Sequence, residues 1–115
     1  MSFEYLEILD RVGSGVKMDK NEWDFDQIAL ATRALVEKYS LSWDPEMVIP
    51  NDPDKVDRVF QAALDLACQA GIYFLPEGRV VRFERAELED GLANAPKALD
   101  MGEGADLRRL TARKV

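Results

Sequence analysis

The stretch from Asp52 to Gly71 constrains the fold of this chain most, because it carries its own start, stripe and stop. The Asp52 carboxylate is placed to accept backbone N–H groups left open at a helix start. Pro53 suits the first helical position and Gly71 the stop. Between them Val56, Val59, Phe60, Ala63, Leu64 and Ala67 recur at three- and four-residue steps, while Asp54, Asp57, Arg58, Gln61 and Asp65 lie mostly elsewhere. The spacing predicts an amphipathic helix over 53–70 with its apolar stripe turned inward.

Weaker signals arrange the rest of the chain around that helix. Ser2 can cap a first helix over about 3–12, with Phe3, Leu6, Leu9 and Val12 at three-residue steps and Gly13-Ser14-Gly15 as the stop. Asp19 and Glu22 have the spacing of a capping box, so a second helix starts there. Trp23, Ile28, Ala31, Leu35 and Tyr39 carry its stripe, and Asp24 and Asp26 are candidates for a break within it. Residues 40–51, with Pro45 and Pro50, read as an ordered connector whose Trp43 and Ile49 pack onto the helices. Ile72–Leu75 and Arg79–Phe83 form a β-hairpin closed by a three-residue loop, Pro76-Glu77-Gly78, with Val81 and Phe83 on one face and Arg82 on the other. Leu88 and Leu92 support a helix over 85–94, ended by Pro96. Lys97–Met101 and Leu107–Val115 are candidate strands flanking a turn at Gly102 and Gly104. The fold class is α+β, mainly helical with a small hairpin.

With 115 residues, 47% of them apolar, one domain with a real core is the expectation. The formal charge of -7 repels nucleic acid and anionic lipid. The basic groups are partly segregated: Arg108, Arg109, Arg113 and Lys114 face only Asp106 after residue 104. No aromatic residue is interleaved with them to stack on bases, so no nucleic-acid partner is expected. Glu4, Glu7 and Asp10 stand where a secretory leader needs a basic start, and no apolar run approaches membrane-spanning length. A cytoplasmic protein with no membrane partner is therefore expected. Cys68 is the single cysteine, which excludes an intrachain disulfide and a thiolate metal cluster.

Nothing in the chain assembles a catalytic constellation. The absence of histidine excludes His-based triads, bases and metal sites. Asp52, Asp54 and Asp57 lack the glycine and bidentate glutamate of a calcium loop and read as helix-start acids. Glu22, Asp24 and Asp26 read the same way. Gly102-Glu103-Gly104 lacks the third glycine and the Gly-Lys-Ser/Thr ending of phosphate loops, and reads as a turn. Cys68 reads as a small buried hydrophobe. Trp23, Trp43, Tyr39, Phe60 and Tyr73 read as core anchors rather than a ligand cage. The expectation is no catalytic, cofactor-binding or metal-binding residue in this chain.

A series of short landmarks carries more. They are Asp10-Arg11, Trp23-Asp24 with Ile28, Lys38-Tyr39 with Leu41, and Ile49-Pro50 with Asp52. Phe60-Gln61-Ala62, Gly71-Ile72-Tyr73, Arg79-Val80-Val81 and Asn94 continue the series, which ends in Gly102, Gly104, Asp106 and Arg113. In order and spacing this series resembles the amino-terminal part of the corrinoid-dependent monomethylamine methyltransferases. The resemblance implies methyl transfer from monomethylamine to the cobalt of a corrinoid protein, during methanogenic growth on methylamines. It also implies that this part precedes a TIM-type barrel holding the family's pyrrolysine and its neighbouring acid and amide side chains, so none of those residues is carried over here. On that reading 1–104 are a helical α+β N-terminal domain, and 105–115 are a basic C-terminal segment leading into the barrel. Two roles stay open: an N-terminal domain or truncated form, catalytically silent alone, and a stand-alone module that binds a corrinoid protein or a full-length relative. The implied partners are accordingly a corrinoid protein or a second copy, and the corrinoid itself belongs to the partner.

Overall fold

Among the described residues, helices and two small antiparallel sheets are joined in part by side chains that reach helix ends. The structure, a computed structural model, describes residues 5–113. The Ser2 cap, Phe3, Lys114 and Val115 lie outside the described residues.

Helix α1 spans Tyr5–Ser14, so it runs through Gly13 rather than stopping there. Strand β1, Val16–Lys17, follows at once. Asp19 caps α2 (Lys20–Glu22) by accepting the Asn21 N–H at 3.0 Å. The expected break at Asp24 and Asp26 is instead a change of pitch: Trp23–Leu30 is π-helical and continues into α3, Ala31–Lys38, as one rod. At its end Ser40 takes φ 50°. Arg58 Nη1 donates to the carbonyls of Tyr39 and Ser40 at 2.7 and 2.8 Å, satisfying groups a helix end leaves open.

Helix α4 spans Pro53–Ala70, with Asp52 accepting the Asp54 N–H at 3.1 Å and Gly71 at φ 64° ending it. A Cβ on Gly71 would collide with the Val81 carbonyl, so the position needs glycine for space as well as for its backbone angle. β2 (Ile72–Phe74) and β3 (Arg79–Val81) pair antiparallel with Tyr73 opposite Val80. The connection is longer by one residue than the sequence suggests, because Leu75 leaves the ladder. β1 adds to the other edge of β3, giving the order β1-β3-β2, a pairing the two-residue strand did not announce. The strand stops at Val81, but the expected sidedness continues past it: Val81 is buried, Arg82 exposed and Phe83 half-buried.

Helix α5 spans Arg85–Ala93, and the Glu87 carboxylate reaches back to accept the Glu84 N–H at 2.7 Å. Finally β4 (Ala98–Met101) and β5 (Arg108–Thr111) form a second antiparallel hairpin across the Gly102 and Gly104 turn. The weakly alternating end of the chain is thus paired, with Leu99 opposite Leu110.

The core among the described residues is thin: Ala31, Leu35, Ala62, Leu64, Ala70, Val80 and Val81. Trp23 and Tyr73 seal one end of it. Their rings lie 5.5 Å apart, Trp23 Nε1 donates to Ala70 O at 3.0 Å, and the Tyr73 hydroxyl donates to Met18 O at 2.9 Å. Two expected anchors are not inside. Trp43 and Ile49 are 83% and 80% exposed, because the connector runs over the surface instead of folding onto the rod.

Candidate functional site

Asp65, near the middle of α4, gathers three elements. It accepts Lys38 Nζ at 2.8 Å, the Tyr39 hydroxyl at 2.7 Å and Arg85 Nη1 at 2.9 Å. Arg85 also donates to Gln61 Oε1 and, at 2.9 Å, to Glu89 Oε1. The hydrogen bond from Lys38, then that from Tyr39, holds the Asp65 carboxyl below its ordinary value. Beside this hub opens a cleft of about 650 Å³ lined by Leu35, Lys38, Asp65, Cys68, Phe83 and Arg85 among others. Lys38, Asp65 and Arg85 in its walls are already paired with one another, which makes them struts rather than acids or bases waiting for substrate. Sequence reasoning placed Asp65 on the solvent side. The available signal was a single acid set among Ala62, Cys68 and Gln69 in the second half of a helix, away from the dipole end that favours it.

A second joint ties α1 to α5. Arg11 lies between Glu7, at 2.7 Å, and Glu87, and its guanidinium is 5.8 Å from the Phe83 ring. The Arg11 hydrogen bond lowers the Glu87 carboxyl, helped by the Glu84 N–H.

The apolar stripe of α4 faces the other way from the one expected. Arg58, Gln61, Ala62 and Asp65 meet the neighbouring helices, whereas Val56, Val59 and Phe60 are 50%, 47% and 46% exposed and Ala63 and Ala67 are exposed as well. Phe60, Ala63, Leu64, Ala67, Leu88 and Leu92 line an apolar groove of about 430 Å³ between α4 and α5. The inward stripe read from spacing is therefore corrected except at Leu64, which is buried as expected. The helix buries Ala62, Leu64 and Ala70 and turns its salt bridges to its neighbours, and it leaves Val56, Val59 and Phe60 open.

The remaining candidates settle into local roles. Asp54 pairs with Arg58 at 3.0 Å, and Asp24 pairs with Lys20. Gly102 and Gly104 sit at φ 85° and 55° in the β4–β5 turn. Cys68 is half-buried in the cleft wall rather than buried. Trp23, Tyr39 and Tyr73 are half-buried anchors, but Phe60 is not one. Among the described residues no three acidic or cysteine side chains converge as a metal site, and no helix is long and apolar enough to cross a membrane.

Several landmarks of the chain are joints of this kind: Arg11 on Glu87, Trp23 on Ala70, Lys38 and Tyr39 on Asp65, Gly71 against Val81, and Arg79 Nη1 on Gly15 O at 2.6 Å. The model of the family described as monomethylamine methyltransferase MtmB matches residues 3–115. The chain belongs to the MtmB family. Monomethylamine methyltransferase MtmB of Methanosarcina mazei is 31% identical over 114 residues, as is MtmB3 of Methanosarcina barkeri, and each match covers 99% of this chain and 25% of the relative. The crystal structure of the Methanosarcina barkeri enzyme superposes with a TM-score of 0.91 at 29% identity, over 100% of this chain and 25% of that one. The chain spans about a quarter of the length of the relatives it matches, and the match falls on their first quarter. The α+β fold, with its helices and small sheets, is that of the N-terminal portion of MtmB.

Proposed function

We propose that this chain provides the amino-terminal part of an enzyme that transfers the methyl group of monomethylamine to a corrinoid protein in the cytoplasm during methylamine metabolism, and that it is catalytically silent by itself. The observation that carries this reading is the superposition over the whole chain onto the first quarter of a monomethylamine methyltransferase. The paired state of the cleft supports it: Asp65 is held ionised by three donors, which makes it a poor proton acceptor. The corrinoid belongs to the partner protein. This chain has no histidine to offer cobalt, and its one thiol stands half-buried in a wall of ion-paired side chains, so no step is assigned to the group here. Residues 1–104 act as the N-terminal domain, and 105–115 lead into the part that carries the chemistry, with β5 held at its start by β4.

The test has two arms, each read by the absorbance of methylated cobalt on a corrinoid protein supplied with monomethylamine. The chain alone gives no methylation. A fusion in which this chain replaces the matching first quarter of the Methanosarcina barkeri enzyme gives methylation at a rate comparable to the parent. Turnover by the chain alone, or an inactive fusion, refutes the reading.

A further inference from the structure

The chain exposes far more surface than a finished domain of its size. A compact monomer of 13.0 kDa has roughly 6,300 Å² of accessible surface, and this chain has 9193 Å². Its radius of gyration is 18.0 Å, where a compact chain of this length has about 13 Å. The excess, roughly 2,800 Å², is of the size that permanent interfaces bury, well above what a transient encounter needs. Two places contribute to it. One is the outer face of α4 with the α4–α5 groove, and the other is the β4–β5 hairpin, every residue of which is exposed. The ladder puts Leu99, Met101 and Leu110 on one hairpin face with Arg108, while Asp100 and Arg109 pair at 2.7 Å on the other. An isolated two-stranded hairpin is marginal in water, so its apolar face needs a cover.

We infer that the outer face of α4 at Val59 and Phe60, together with the α4–α5 groove that Phe60 and Leu92 line, is covered by the remaining three quarters of a monomethylamine methyltransferase chain, as a permanent interface and not as a landing site for a transient partner. The inference rests on the reading above and adds the surface to it. The relatives fold this same quarter in the presence of about three times its length of further chain. That body is large enough to cover the helix face and the hairpin together. A single small partner seated in a groove of about 430 Å³ leaves most of the excess open.

Thiol labelling tests the surface. In a Cys68→Ala background, Val59→Cys and Leu92→Cys are compared with Asp24→Cys, in the isolated chain and in the Methanosarcina barkeri fusion, with sites mapped by mass spectrometry. Positions 59 and 92 label at least about ten-fold more slowly in the fusion than in the isolated chain, as expected for a permanently closed face, and position 24 labels alike in both. A fusion that transfers methyl groups but labels at 59 and 92 as fast as the isolated chain overturns the inference and leaves the functional reading standing. An inactive fusion overturns both. Slowing in the isolated chain that grows with its concentration assigns the face to a second copy, and slowing that appears only when a corrinoid protein is added assigns it to that protein. Either result overturns the inference.

Discussion

The two sides of α4 differ in what they bury and in what holds them. Toward α3 and α5 the helix presents Arg58, Gln61, Ala62 and Asp65, with the small Ala62 buried and the polar groups satisfied beside it. Its other side presents Val56, Val59, Phe60, Ala63 and Ala67, which remain exposed, with Phe60, Ala63 and Ala67 facing the open groove shared with α5. An apolar stripe on a helix does not by itself mark the face that packs within this segment.

Substitutions on the two sides are expected to differ most in size. Ala62→Leu forces bulk into the α3–α4 contact and costs about 3 kcal/mol, by overpacking of a filled interior, measured as a shift of the urea midpoint. The neighbouring Ala63→Leu, on the open face, leaves the midpoint unchanged to within about 0.5 kcal/mol. Equal costs at 62 and 63 would collapse the distinction between the sides.

Next in size is Asp65→Ala, which leaves Lys38, Tyr39 and Arg85 without their acceptor and costs about 2 kcal/mol, the scale of a hydrogen-bonded charged group. The same residue sets a pH signature. Because its folded value is lowered, its contribution is complete above the ordinary carboxylate range and disappears as the pH falls through that range and on through the lowered value. Thermal melts between neutral and acidic pH therefore converge for the wild type and Asp65→Ala at low pH. A constant gap at every pH would remove Asp65 from the account.

Trp23→Phe keeps the ring against Tyr73 and removes the indole donor to Ala70 O, costing about 1 kcal/mol. The smallest effect is expected from Phe60→Asp in the isolated chain. It changes stability by less than about 0.5 kcal/mol and makes the chain more soluble, read by light scattering. A large loss of stability there would show that the open face is already part of the core.

Much of this was legible in the residues. The bounds of α4, the second helical start at Asp19, the 85–94 helix, both hairpins and the family resemblance follow from caps, breakers, periodicity and short landmarks, all of them local signals. The joints were not legible. Asp65 against Lys38, Tyr39 and Arg85, and Arg11 against Glu87, join residues 20 to 76 positions apart, and no local pattern encodes that meeting. At Trp23–Leu30 Asp24 and Asp26 signalled an irregularity but not its kind, since the same residues are compatible with an α-helix and the π pitch is not encoded by them locally.

The sequence by itself determined where helices start and stop and which family the segment resembles, because capping, proline, glycine and apolar spacing act within a few residues of where they stand. Only the tertiary structure decided which side of α4 is inside. Spacing gives a helix an apolar stripe but no direction, and the direction follows from what else is present to be packed against: here the polar side of α4 is closed by ion pairs and alanine, and its apolar stripe, apart from Leu64, is open.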